Sequence, residues 1–210
     1  MAEITVVHLL RHGEVHNPNH VLYGRLPGYH LSANGRLMAA AAADYFDGRP
    51  VATVFASPLE RAQETAQPVA GRLGVPIVTD PGLIESGNVL EGKSVSLASL
   101  AVDPRNWKYL WNPFTPSWGE PYTEVVVRVR QVIDRARDAA RGREAVCVSH
   151  QLPIWVSRLA AEHKHLWHNP NNRECALGSV TSLTFDGDEL TGVSYAVPPR
   201  RPVVDQDRAQ

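Results

Sequence analysis

Apolar positions recur with two alternating periods along the chain, and the alternation predicts the order of elements. Ile4 to Leu10 is a β-branched and aliphatic run, the pattern of a strand buried on both faces. Ser32 is placed to cap a helix that runs to about Phe46 and stops at Asp47-Gly48. Val51 to Ala56 predicts a second strand. The next helix carries a start signal: Ser57 as N-cap, Pro58 at the first helical position and Glu60 three residues after the serine, a capping box. Leu59, Ala62, Ala66, Val69, Ala70 and Leu73 follow at helical spacing, with a kink expected at Pro68.

Val75 to Thr79 reads as a short strand. A loop-rich stretch then extends to about Pro121, with Trp107, Trp111 and Trp118 and four prolines between Pro104 and Pro121. Val125, Val126, Val129, Ile133 and Ala136 mark a long helix that ends near Gly142. Ala145 to Ser149 is a further strand, followed after Pro153 by a short helix. Val180 to Phe185 and Leu190 to Ala196 flank Asp186-Gly187-Asp188, a hairpin pattern. The βαβα order implies a three-layer α/β/α domain with a largely parallel central sheet. Residues 1–197 read as one domain and 198–210 as a disordered, proline- and charge-rich tail.

Composition narrows the partners. The 210 residues carry 21 Lys and Arg against 22 Asp and Glu, a net charge of -1, so bulk charge offers no argument for nucleic acid or a membrane surface. No stretch approaches the length of an apolar span, and the N-terminus lacks the pattern of a signal peptide. A cytoplasmic location is expected, as monomer or homodimer. Two cysteines, Cys147 and Cys175, exclude a disulfide framework and read as buried free thiols. There are nine histidines, of which His8, His12, His16, His20 and His30 fall in the first thirty residues.

In open α/β sheets, ligands sit beyond the carboxyl ends of the strands. Two strands here end in histidine: Leu10-Arg11-His12-Gly13-Glu14 and Val148-Ser149-His150. A third junction, Ser57-Pro58-Leu59-Glu60-Arg61, puts an arginine in the first turn of a helix, off its apolar stripe. A cation there opposes the helix dipole and calls for an anionic neighbour. Glu60 or Glu64 would serve structurally; a bound phosphate would serve functionally.

The order Arg-His-Gly, Ser-Pro-x-x-Arg-x-x-Glu-Thr-Ala, a loop glutamate and then Ser-His resembles the histidine phosphatase superfamily, the phosphoglycerate mutase-like family, of the branch 1 type. The likeness runs from about Ile4 to Thr184 and takes in Leu31-Ser32-x-x-Gly35 and Gly119-Glu120-Pro121-Tyr122. The resemblance implies the phosphoglycerate mutase-like fold and makes His12 a nucleophile that forms a phosphohistidine. It assigns Arg11, Arg61 and His150 to the phosphoryl group. Guanidinium forks suit phosphate oxygens, and a neutral imidazole needs no base to attack at neutral pH. Gly13 is expected to let the backbone turn tightly beneath the phosphate. No metal or other cofactor is implied, and the partner is a small-molecule phosphate ester.

The resemblance also calls for a carboxyl group that protonates the leaving alkoxide and later activates water. Glu85 in Leu83-Ile84-Glu85-Ser86-Gly87 matches best. The spacing to Glu91-Gly92 is one residue shorter than in many members, which makes Glu91 the alternative. Asn17 is a phosphate-contact candidate, although many members carry that asparagine one residue further on. Arg25 is a candidate for the pocket rim. The aromatic stretch Trp107 to Trp118, within a cap expected over 103–120, would suit a larger or less charged ester and favours a phosphatase. The alternative is phosphoglycerate mutase-type transfer by the same phosphohistidine chemistry. His12, His16 and His20 at four-residue spacing raise a metal-binding reading, which Gly13 and Pro18 oppose by breaking the helix it requires. An inactive regulatory relative is disfavoured because the whole catalytic set is present.

Overall fold

The structure, a computed structural model, describes residues 3–88, 91–92 and 119–199. Six strands form one sheet: β1 (Ile4–Arg11), β2 (Val51–Ala56), β3 (Ile77–Thr79), β4 (Glu144–Ser149), β5 (Val180–Asp186) and β6 (Glu189–Ala196). Their spatial order is β3-β2-β4-β1-β5-β6. The pairs β3–β2, β2–β4 and β4–β1 are parallel, whereas β5 runs antiparallel to both β1 and β6. The sheet is therefore mixed, with β5 alone reversed. That reversal is the predicted hairpin, closed at Gly187 with φ 58°.

Among the described residues, four α-helices cover the sheet: α1 (Ala33–Phe46), α2 (Glu60–Leu73), α3 (Tyr122–Ala139) and α4 (Gln151–Ala161). Strand parity sorts the core into two layers. Val7, Leu9, Ala145, Cys147, Leu183 and Phe185 pack with α3 and α4. Leu10, Val146, Val148 and Val180 face the opposite way, against α1 and α2. Both cysteines are free and buried. Among the described residues, no helix is long and apolar enough to cross a membrane.

Ser32 caps α1 as expected, accepting from the Gly35 amide at 2.9 Å. Two helix starts differ from the sequence reading. The first, α2, begins at Glu60 behind Leu59 with no side-chain cap: the Ser57 hydroxyl lies 2.7 Å from His150 and accepts only a long bond, 3.4 Å, from the Leu59 amide. The second, α4, begins at Gln151, ahead of Pro153. Pro153 sits in the first turn, where an amide has no intrahelical acceptor and its loss costs nothing. His150 therefore lies at the cap of α4, against the positive end of its dipole. Strand β3 is also shorter than Val75–Thr79. The expected tail falls outside the described residues from 200 onward, as does the expected cap except for Gly119 and Glu120.

Candidate active site

The parallel register brings the two histidine-bearing strand ends together. Arg11 pairs with Ser149, and the His12 amide donates to the Ser149 carbonyl at 3.0 Å. Ser57, just past the end of β2, donates its amide to Val148 at 2.9 Å. His12, His150 and Ser57 thus converge at one edge of the sheet. The two imidazole rings lie 5.1 Å apart, tilted by 58°.

The His12 ring has a defined tautomer. Its Nδ1 is 2.7 Å from the Gly13 carbonyl, which can only accept, so Nδ1 carries the proton and Nε2 keeps its lone pair. Burial, then Arg61 and Arg11, hold His12 well below the ordinary imidazole pKa. It is neutral at neutral pH. His150 is depressed likewise by burial, with His12, Arg61 and Arg11 adding to the effect. Its Nε2 is 2.7 Å from the Ser57 hydroxyl, and its Nδ1 is buried without a partner.

Arg61 is fully buried in the first turn of α2. Its Nη2 donates to the Gly24 carbonyl at 2.6 Å and its guanidinium lies over the Tyr23 ring, 4.8 Å from the centroid. Neither nearby glutamate pairs with it. The Glu60 carboxylate accepts from the Gly28 amide at 3.0 Å, and Glu64 holds the Leu31 amide at 2.8 Å together with the His30 ring. Nε and Nη1 of Arg61 are left buried and unpaired, as is Nε of Arg11, whose Nη1 donates to the Cys175 carbonyl at 2.6 Å. With His150 Nδ1, four buried nitrogens of Arg11, Arg61 and His150 lack a protein partner, and each such donor costs about 1–3 kcal/mol unless water or an anion meets it.

Glu85 lines the same cavity. Burial pushes its carboxyl up, against the Ser86 amide, which donates to Oε1 at 2.8 Å, and against the field of Arg61, Arg11 and Arg173. The net shift is upward, toward the range of a general acid. The cavity, about 280 Å³, is walled by Arg11, His12, Tyr23, Glu85, Tyr122, Gln151 and Arg173 among others. Glu91 does not line it; its carboxylate accepts from the Asn88 amide at 3.1 Å and closes the turn.

Two further candidates, Asn17 and Arg25, do not line this cavity and bond within the surrounding loops. Asn17 spends its amide on Val21, donating to the carbonyl at 2.9 Å and accepting from the amide at 3.0 Å. Arg25 donates to the Glu85 carbonyl at 2.7 Å and to the Glu120 carboxylate at 2.7 Å. It braces the acid loop. Arg128 of α3 does the same from the other side, donating to the Gly82 and Ile84 carbonyls at 2.7 Å and to Glu120 at 2.8 Å. Burial raises the Glu120 carboxyl, but Arg128 and Arg25 hold it below the ordinary range overall, as an anion between two cations.

Gly13 is required for a different reason than a tight turn. A Cβ there would sit 2.5 Å from the Gly35 carbonyl oxygen, so the strand end must pass against the start of α1. Its amide donates to the Thr65 hydroxyl at 3.1 Å, and Thr65 in turn donates to the Arg61 carbonyl at 2.7 Å. Sequence reasoning missed Thr65, Ser57 as a partner of His150, and Arg173. Thr65 sits inside the Arg-x-x-Glu-Thr-Ala pattern; Arg173 belongs to no pattern. Among the described residues, no three His, Cys, Asp or Glu side chains converge to hold a metal ion.

Comparison with known proteins places the chain in a family. Residues 7–198 match the model of the histidine phosphatase superfamily (branch 1). The uncharacterized protein Rv0525 of Mycobacterium tuberculosis is 56% identical over 199 residues, which cover 94% of this chain and 98% of that protein. A probable phosphoglycerate mutase, GpmB of Yersinia enterocolitica, is 29% identical over 182 residues, 83% of each chain. The mycobacterial glucosyl-3-phosphoglycerate phosphatase Rv2419c shares the fold with a TM-score of 0.74 at 24% identity, over 94% of this chain and 98% of the other. A match of a family model to nearly the whole chain settles the grouping: this chain is a member of the histidine phosphatase superfamily, branch 1.

Proposed function

We propose that the protein is a phosphatase that hydrolyses a small-molecule phosphomonoester through a phosphohistidine on His12. The observation that carries this reading is the His12 tautomer, with its Nε2 lone pair free beside four unpaired buried nitrogens. The forks of Arg11 and Arg61 bind the non-bridging phosphoryl oxygens, and His150 Nδ1 donates to one of them. Nε2 of His12 attacks phosphorus in line with the ester oxygen. The P–O bond breaks, and Glu85 gives its proton to the departing alkoxide. Glu85, now a carboxylate, takes a proton from water, whose oxygen attacks the phosphohistidine; inorganic phosphate leaves and both groups return to their starting states.

Positioned charge supplies most of the acceleration in such a transfer, because the transition state spreads negative charge over the equatorial oxygens. The same phosphohistidine would serve a mutase if a second substrate hydroxyl, rather than water, received the phosphoryl group. A panel of sugar phosphates, nucleotides, phosphoglycerates and a coenzyme-type phosphate separates the two, with phosphate release and isomerisation both measured. Phosphate release without isomerisation is the expected result. Isomerisation that outpaces release would make the protein a mutase.

A further inference from the structure

Arg173 is a cation on the cavity wall with no carboxylate partner among the described residues. Its Nε donates to Nε2 of His168 at 2.8 Å, its Nη1 approaches the Gln151 side-chain oxygen at 3.5 Å, and the Tyr122 side chain is a further hydrogen-bond partner. None of the three is a carboxylate. The tautomer of His168 is fixed in turn, because its Nδ1 lies 2.7 Å from the Leu166 carbonyl and must carry the proton. That leaves Nε2 as the acceptor. The ring is clamped by stacking on Tyr122 (5.4 Å, 26°) and by the edge of Trp155 (5.9 Å). Burial holds His168 below the ordinary imidazole range, so it stays neutral.

This arrangement aims a guanidinium without an ion pair among the described residues. A structural arginine in a half-buried setting is ordinarily met by a carboxylate, as Arg128 is by Glu120 nearby. The charge balance of the cavity points the same way. Glu120 is already shared by Arg25 and Arg128, and Glu85, protonated as the proposed acid, forms no ion pair with Arg173. A phosphomonoester dianion answers Arg11 and Arg61. One positive charge is left over, on Arg173. It lies two residues from Cys175, whose carbonyl anchors Arg11, so the extra cation sits beside the phosphate site on the same loop.

We infer that Arg173, aimed by His168 and Gln151, is a subsite for a second anionic group on the substrate, a carboxylate or a second phosphate on the alcohol half. The inference rests on the phosphatase reading and narrows its substrate class to phosphomonoesters that carry a further negative charge. The aromatic stretch 107–118 falls outside the described residues, and the described wall supplies a cation where that stretch suggested a less charged ester.

The test is kinetic, on the full chain with matched probes. 3-Phosphoglycerate is paired with glycerol 3-phosphate, and propanediol bisphosphate with propanediol monophosphate; p-nitrophenyl phosphate reports basal hydrolysis. Charge-assisted hydrogen bonds predict that kcat/KM favours the charged member of at least one pair by about 10- to 100-fold. Arg173→Gln should bring that ratio close to one, and which pair responds tells carboxylate from phosphate. Loss of both members by the same factor would overturn the inference and assign Arg173 to the electrostatics of Glu85. So would a wild-type ratio near one, or a preference that survives in Arg173→Gln. If Arg173→Gln does not fold, Arg173→Lys, which keeps the charge and loses the fork, should still lower the ratio severalfold; an unchanged ratio overturns the subsite. Failure to hydrolyse p-nitrophenyl phosphate or any other ester would instead overturn the phosphatase reading itself.

Discussion

Nε2 of His150 lies 2.7 Å from the hydroxyl of Ser57, and both side chains are fully buried. If the serine donates, the proton of His150 resides on Nδ1, the nitrogen with no other partner in the fold. A serine at the end of β2 thereby selects which nitrogen of a histidine at the end of β4 carries the proton, and the proposed mechanism uses that N–H toward phosphate. Ser57→Ala should lower kcat/KM about tenfold, the effect of one buried hydrogen bond of roughly 1.5 kcal/mol. Urea denaturation should show a loss of about 1–3 kcal/mol, from the acceptor left unpaired. Unchanged kinetics would remove Ser57 from the site.

Arg61 is a buried cation with no carboxylate partner among the described residues, and the proposed mechanism gives it the phosphoryl oxygens. Replacing buried ionic groups with well-packed apolar side chains of similar volume is often neutral or stabilising, by about 1–4 kcal/mol. Arg61→Met should therefore keep or raise Tm while kcat/KM falls by at least about 10²-fold. Inorganic phosphate should raise the Tm of the wild type and not that of the variant. A variant that loses stability and still responds to phosphate would contradict the assignment.

The shifted groups set opposite pH trends. His12 and His150 are depressed in the folded state, so the unfolded chain binds more protons as pH falls through the ordinary histidine value of 6.5. Stability should decline from there downward, toward their depressed folded values. A variant in which both are glutamine should lose less stability over that window, measured by urea unfolding. Glu85 is raised, so its contribution acts in the other sense: it is full below the ordinary carboxylate value of 4.5 and is lost as pH rises through the folded value. In catalysis the same shift predicts an alkaline limb for alkyl phosphates, absent in Glu85→Gln.

Arg25, Glu120 and Arg128 act on Glu85 through its backbone and through the carbonyls before it. Glu120→Gln should slow alkyl phosphates, which need the acid, by about 10-fold more than p-nitrophenyl phosphate, whose leaving group needs none. Equal slowing of both would make the brace a purely structural one.

What could be read from the sequence follows from how local each signal is. Arg11, His12 and Gly13 form one turn after one apolar run, and Ser149-His150 repeats the pattern, so the strand-end placement was legible. Ser57 was misread as a helix cap. Its local pattern, followed by Pro58 and Glu60, is that of a cap, while the partner that claims its hydroxyl is 93 residues away. Glu60 and Glu64 looked like natural partners of Arg61, but the loop at 28–31 takes both carboxylates. Arg173 had no local signature, because it becomes conspicuous only once its partners prove to be neutral. The mixed sheet was half legible: the hairpin turn announced β5 and β6, but not which edge of β1 they would join.

The account depends most on covalent phosphorylation of His12. A rapid-quench experiment with a ³²P-labelled phosphomonoester, stopped in alkali and mapped by peptide mass spectrometry, measures it directly. The expected result is a label that forms within the first turnover, is stable to alkali and labile to acid, resides on His12, and is absent from His12→Ala together with phosphatase activity. Label on a serine or aspartate, or full turnover by His12→Ala, would contradict it.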